Sequence, residues 1–189
     1  MGEILDLVLL TISTCLFYFL SNFHTYNIGI KEGFQSPLKD ALHDMLPDFS
    51  KYVYLRDVVL ILFLVPLYFV YKNGTFLQYV YEFWESFMFI VMLKAITIFF
   101  TFLPASNPEC ARKKQINHCF HQIFSGHNSF VLLLCLLYLK YLSWSEHHFL
   151  LIVVISCTIL YSFFILMTRA HYSVDIVISY IIVFLMYTQ

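Results

Sequence analysis

A chain of 189 residues that is 60% hydrophobic, 20% aromatic and only 12% charged, with a mean hydropathy of +0.76, is too apolar for an ordinary soluble domain. It reads as an integral membrane protein. Its 11 Lys and Arg nearly cancel its 12 Asp and Glu, so bulk charge points to no nucleic-acid partner.

Six apolar runs are long enough to be candidate membrane spans, at approximately 4–22, 56–71, 80–103, 126–143, 148–168 and 171–188. The predicted fold class is therefore an all-α membrane protein. It is expected as a six-helix bundle forming a single integral domain over 1–189, with an active site at one membrane face. The first run has Glu3 and Asp6 instead of preceding Lys or Arg and lacks a small-residue cleavage site, so it is expected to stay as a span. A polar, Tyr-rich interfacial segment, 23–55, follows it, with room for a short surface helix. The second run carries Pro66, tolerated as a kink where neighbours satisfy the freed carbonyl. Spans three and four are joined by "PASNPECARKKQINHCFHQ". Cys110, His118, Cys119 and His121 cluster there, at spacings that match no structural zinc site, so no metal is expected. The five cysteines imply no disulfide framework.

Alternating crossings put the starts of spans four and six on one side. His171 and Asp175 of "HYSVD" are four apart, which on a helix sets them on one face, with the carboxylate orienting the imidazole. Alone, that spacing serves equally for a helix-terminal ion pair. The second histidine, His127, follows Ser125 and Gly126 at another helix start, where free amides and the helix dipole favour an anion such as phosphate. Gly126 allows close backbone approach and Ser125 can cap the helix or donate a hydroxyl. Lys94, roughly 13 Å along the helix from the nearer polar loop, is a buried-charge candidate. A charge at mid-membrane costs about 2.5–3.5 kcal/mol and calls for a polar interior, a phosphate or an interhelical partner.

"FSGHNS" followed by "HYSVDIVISY" resembles the paired signature of the type 2 phosphatidic acid phosphatase superfamily, and within it the sphingomyelin synthase branch. "KAITIFFTFLPASNPEC" and the "LPD" of Leu46 to Asp48 are similar to further motifs of that branch. The resemblance implies that His171 is the nucleophile attacking a lipid phosphorus, Asp175 its orienter and His127 the general acid, through a phosphohistidine, with no metal and no cofactor. The chain departs from the pattern at Cys119-Phe120-His121-Gln122, where the family has Cys-Gly-Asp, and at Ile165, where the phosphatase signature has Arg. Arg169, two before His171, is expected to reach the same phosphate.

By parity, the active-site side carries Lys31, Lys39, Lys51, Arg56, Arg112, Lys113, Lys114 and Arg169, against Lys72 and Lys140 opposite. The positive-inside rule makes that side cytosolic, whereas the resemblance implies a lumenal or exoplasmic site. The function expected is transfer of a phospho-head group, phosphocholine or phosphoethanolamine, from a glycerophospholipid donor to a lipid alcohol such as ceramide or diacylglycerol. The setting would be a multi-pass protein of the Golgi, endoplasmic reticulum or plasma membrane. Two alternatives stand beside it: a lipid phosphate phosphatase using the same His127, His171 and Asp175, and a non-catalytic membrane lipid-binding protein. The residues specify no oligomeric state.

Overall fold

The computed structural model describes residues 2–32, 37–101, 103–104, 106–107 and 123–188. The loop residues Cys110, His118, Cys119 and His121 lie outside the described residues. Those described are all helical apart from turns and loops, with no strand. The helices are α1 (Gly2–Glu32), α2 (Ala41–Met45), α3 (Leu55–Leu60), α4 (Leu67–Lys72), α5 (Phe76–Phe100), α6 (Gly126–Tyr141), α7 (Trp144–Met167) and α8 (Ser173–Tyr187), with 3-10 turns at Ser50–Tyr52 and Ile61–Leu64. Three stretches, Ile4–Ile28, Phe76–Phe100 and Trp144–Met167, are long and apolar enough to cross a membrane.

Three expectations change. Composition predicts an exit from the helix after residue 22, but α1 continues through the polar stretch. Its small polar side chains bond back to the helix: Ser21 Oγ donates to Phe17 O at 2.8 Å and Thr25 Oγ1 to Ser21 O at 2.8 Å. Thr25 also lies 3.3 Å from Ile98 O on α5, and His24 stacks on Phe99, so packing against α5 carries the extension. The second expected span is not one helix but α3, a 3-10 turn and α4. Pro66 has no N–H to continue the ladder and stands immediately before α4, where a missing donor is tolerated. Finally, α6 and α8, at 16 and 15 residues, reach only about 24 and 22 Å at 1.5 Å per residue, short of a 30 Å hydrocarbon layer.

Position in the bundle explains why α6 can be short. Its "VLLLCLLYL" run is apolar all round, the pattern of a helix enclosed by others. Val131 to Tyr138 are all buried, with α5, α7 and α8 packed around them. The far end is closed by Glu82 of α5, which accepts from Lys140 Nζ and Tyr141 Oη. There Gly74 takes φ +73 in the turn from α4 to α5, a left-handed position suited to glycine.

At the near end the segment 37–52 forms a strap. Asp40 holds it: Oδ1 caps α2 through the amides of Leu42 (3.0 Å) and His43 (3.2 Å), while Oδ2 accepts the Ser173 amide (2.6 Å) and hydroxyl (2.9 Å) at the start of α8. Burial alone would push the Asp40 carboxyl up, but the hydrogen bonds from Ser173 and His43 and the His43 charge more than offset it and hold it below the usual carboxylate range. Because this group is depressed in the folded state, its stabilisation is present above its unfolded pKa and is lost as pH falls through the lower folded value. Asp40→Ala should therefore cost about 1–3 kcal/mol at neutral pH, lowering the thermal midpoint by roughly 2–4 °C per kcal/mol. The gap to wild type should close under acid conditions below about pH 4. A midpoint difference that stays constant down through that range would show that the charge of Asp40 is not what holds the strap.

Candidate active site

The site lies where the start of α3, the last turns of α5, the start of α6 and the turn between α7 and α8 meet. Tyr172 precedes α8 as its N-cap, so His171 sits outside the helix. The i, i+4 pair therefore does not share a helical face. Instead Asp175, in the first turn, reaches back across the helix start: its Oδ2 accepts the Tyr172 amide at 3.1 Å and His171 Nδ1–H at 3.1 Å. A carboxylate only accepts, so Nδ1 carries the proton and Nε2 keeps its lone pair. Among the described residues Nε2 has no partner. The Asp175 side chain is 0% exposed, and Oδ1 has no hydrogen-bond partner among the described residues.

Ser125 caps α6 as the sequence predicts, its Oγ accepting the Asn128 amide at 3.1 Å. Its carbonyl accepts the Ser129 amide, which leaves the Gly126 and His127 amides outside the helical ladder at the positive end of the dipole. The turn is docked onto α8 through Ser179. That hydroxyl accepts the Ser125 amide at 2.9 Å and donates to the Asp175 carbonyl at 2.7 Å. The two motifs are thus joined by hydrogen bonds through a residue that the sequence presents as an ordinary helix serine.

Lys94 is 9% exposed, two turns from the end of α5, and its ammonium lies against the Ser125–His127 turn. A methyl group at Gly126 would come within 3.2 Å of Lys94 Nζ. The absent Cβ is what admits the ammonium, which also lies 5.9 Å from the Phe124 ring centroid. Lys94 and Arg56 are the cationic neighbours of His127, and the His171 ring lies nearby. An apolar cavity of about 330 Å³ opens beside them, lined by Tyr18, Leu60, Phe87, Ile90 and Phe130, with Lys94, Gly126 and His127 at its polar end.

Two residues here were not singled out as site residues by sequence. Asp57 Oδ1 lies 3.2 Å from His127 Nε2 and 3.2 Å from Arg56 Nε, at the start of α3. Each histidine thus has its own carboxylate within 3.2 Å. The adjacent charges of Arg56 and Asp57 at the entrance of an apolar run read as an interfacial pair, and only the tertiary fold brings them to His127.

Arg169 is nearby but turned aside. Its Nη2 donates to Leu46 O at 3.0 Å, its Nε is 4.0 Å from Asp48, and Nη1 is buried with no partner among the described residues. Its backbone is at φ +55, which costs a non-glycine residue about 1–2 kcal/mol.

The cradle formed by Lys94 and the Gly126 turn has a direct test. Gly126→Ala should leave helical content unchanged, displace the Lys94 ammonium by a few tenths of an ångström, and weaken orthovanadate binding roughly tenfold. Unchanged affinity would show that Lys94 and the turn do not share an anion.

Residues 118–189 match the family described as PAP2 superfamily C-terminal, a stretch containing both the Ser125–His127 turn and the His171–Asp175 pair. No curated protein and no solved structure matches the chain. The three long apolar helices and this match together suggest an integral membrane protein. The match supports the type 2 phosphatidic acid phosphatase superfamily, whose members are generally phosphatases or phosphotransferases acting on lipid phosphates.

Proposed function

We propose that the protein is a multi-pass membrane phosphotransferase that moves a phospho-head group from a glycerophospholipid to a lipid alcohol such as ceramide or diacylglycerol. The observation that carries this reading is the pairing of His171 Nδ1 with buried Asp175, which leaves Nε2 as a nucleophile at a site that also holds His127 and Lys94. The six apolar runs serve as six spans of one integral domain in this reading, with the broken α3–α4 segment and the short α6 and α8 enclosed by the longer helices.

In the first step Nε2 of His171 attacks phosphorus, the bond from phosphorus to the glycerolipid oxygen breaks, and protonated His127 gives its proton to the departing oxygen. Asp57, 3.2 Å from His127 Nε2, orients the ring before transfer. In the second step the acceptor hydroxyl loses its proton to His127 while its oxygen attacks phosphorus and releases His171. Lys94 and the Gly126 and His127 amides face the developing charge on the phosphoryl oxygens, and Ser125 holds that turn in place. Arg169 keeps both N–H groups of Nη1 for a further oxygen. The apolar cavity next to His127 suits the hydrocarbon of either lipid. Nothing in this sequence of steps calls on a metal.

The superfamily also contains phosphatases, in which water takes the place of the acceptor alcohol. Thin-layer analysis of solubilised protein given fluorescent ceramide and diacylglycerol with mixed phospholipid donors separates the readings. Transfer predicts a new head-grouped lipid that is absent in His171→Ala and falls about 10²–10⁴-fold in Asp175→Asn and His127→Ala. Release of free phosphate or a free phospho-head group with neither alcohol consumed would replace the transferase with a hydrolase.

A further inference from the structure

Arg169 occupies a position where its side chain, not its backbone preference, explains its presence. The Arg169 amide donates to Leu166 O at 3.0 Å and the Ala170 amide to Ile165 O at 3.1 Å, the paired bonds of a Schellman ending to α7. The residue in left-handed conformation at such an ending is usually glycine, yet here it is arginine at φ +55. A backbone outlier of this kind persists where surrounding contacts hold it.

Those contacts run to the strap. Nη2 binds the Leu46 carbonyl and Nε faces Asp48, more than 120 positions earlier in the chain. The Arg169 carbonyl accepts Ser106 Oγ at 2.8 Å, and the Phe49 amide donates to Met167 O at 2.8 Å. On the other side of His171 the strap is attached again. His43 Nε2 donates to the His171 carbonyl at 2.9 Å, and Asp40 holds Ser173. Tyr172 Oη accepts the Leu38 amide at 3.0 Å and donates to Pro104 O at 3.1 Å. His171 therefore hangs between two attachments of one segment, with Arg169 the first of them.

We propose that Arg169 is a positioning residue, a latch that fastens the Leu46–Asp48 part of the strap to the turn carrying His171. Through the strap it sets where Nε2 stands relative to the Ser125–His127 turn. The latch itself is independent of the reaction assigned above; only the turnover part of its test rests on that assignment.

The test uses the full chain in lipid nanodiscs, with Arg169→Gly, Arg169→Lys, Asp48→Asn and a double variant that combines Arg169→Gly with Asp48→Asn. Glycine suits the backbone at this position, so Arg169→Gly should melt within a few degrees of wild type. The strap amides of residues 42–52 should nevertheless exchange hydrogen at least tenfold faster. Arg169→Lys keeps the charge without the fork and should fall between the two. The double variant should be no worse than Arg169→Gly alone, because the two residues act through one contact. In turnover, the latch predicts a fall in kcat of tenfold or more with KM within about threefold. Strap exchange equal to wild type in Arg169→Gly overturns the latch, and the same result with a raised KM identifies Arg169 as a phosphate ligand only. If Arg169→Gly does not fold, exchange in Arg169→Lys and Asp48→Asn decides the same question. If wild type forms no head-grouped lipid, the phosphotransferase reading fails, yet the exchange comparison still stands or falls alone.

Discussion

Everything at the near end of the bundle is arranged around the buried carboxylate and carbonyl of Asp175. One carboxylate oxygen takes the His171 Nδ1–H and the Tyr172 amide, so one atom both starts α8 and sets the tautomer of the histidine just before it. The backbone carbonyl of the same residue accepts the Ser179 hydroxyl, which in turn receives the Ser125 amide and so holds the turn at the start of α6. Taking a carboxylate wholly out of water is costly unless it is paired and hydrogen-bonded. Two donors on one oxygen and the nearby Lys94 charge offset only part of that cost here. A nucleophile candidate, a helix cap and the turn at the start of α6 therefore share one support, which makes their relative positions hard to change one at a time.

The rest of the fold serves that arrangement. An apolar α6 surrounded by α5, α7 and α8 gives the Ser125 turn a rigid base, since packed helix interiors allow little adjustment. The strap closes the other side. It is fastened by hydrogen bonds at Asp40, His43, Tyr172 and Arg169, and Leu42 and Leu46 pack against the core.

Much of this was legible in the residues. Composition pointed to a membrane protein, and loop parity put the two histidine motifs at the same end, where the structure also has them. Ser125 reads as a cap from its place before the α6 run, and Lys94 stands out because a lone ammonium in an apolar run needs a polar neighbour. The parts that were not legible depend on contacts between distant segments. The helical course of residues 23–32 is set by packing of α1 on α5, against a local composition that reads as loop. The His171–Asp175 spacing suggested a helical face, whereas the bond forms across a helix start, a distinction that one residue of boundary decides. Asp57 and Arg56 look like ordinary interfacial charges until the fold sets them against His127. Arg169 gave no signal of its backbone conformation, because nothing local in "MTRAHY" calls for a left-handed residue.

Covalent capture at His171 is the sharpest experiment: a rapid acid or base quench of the purified protein with a donor lipid labelled at phosphorus, followed by peptide mapping of the trapped label. Nucleophilic attack by His171 predicts a base-stable, acid-labile phosphohistidine, joined through Nε2, that forms faster than product and disappears on adding acceptor alcohol. Turnover with no covalent label, or label on a residue other than His171, would contradict it.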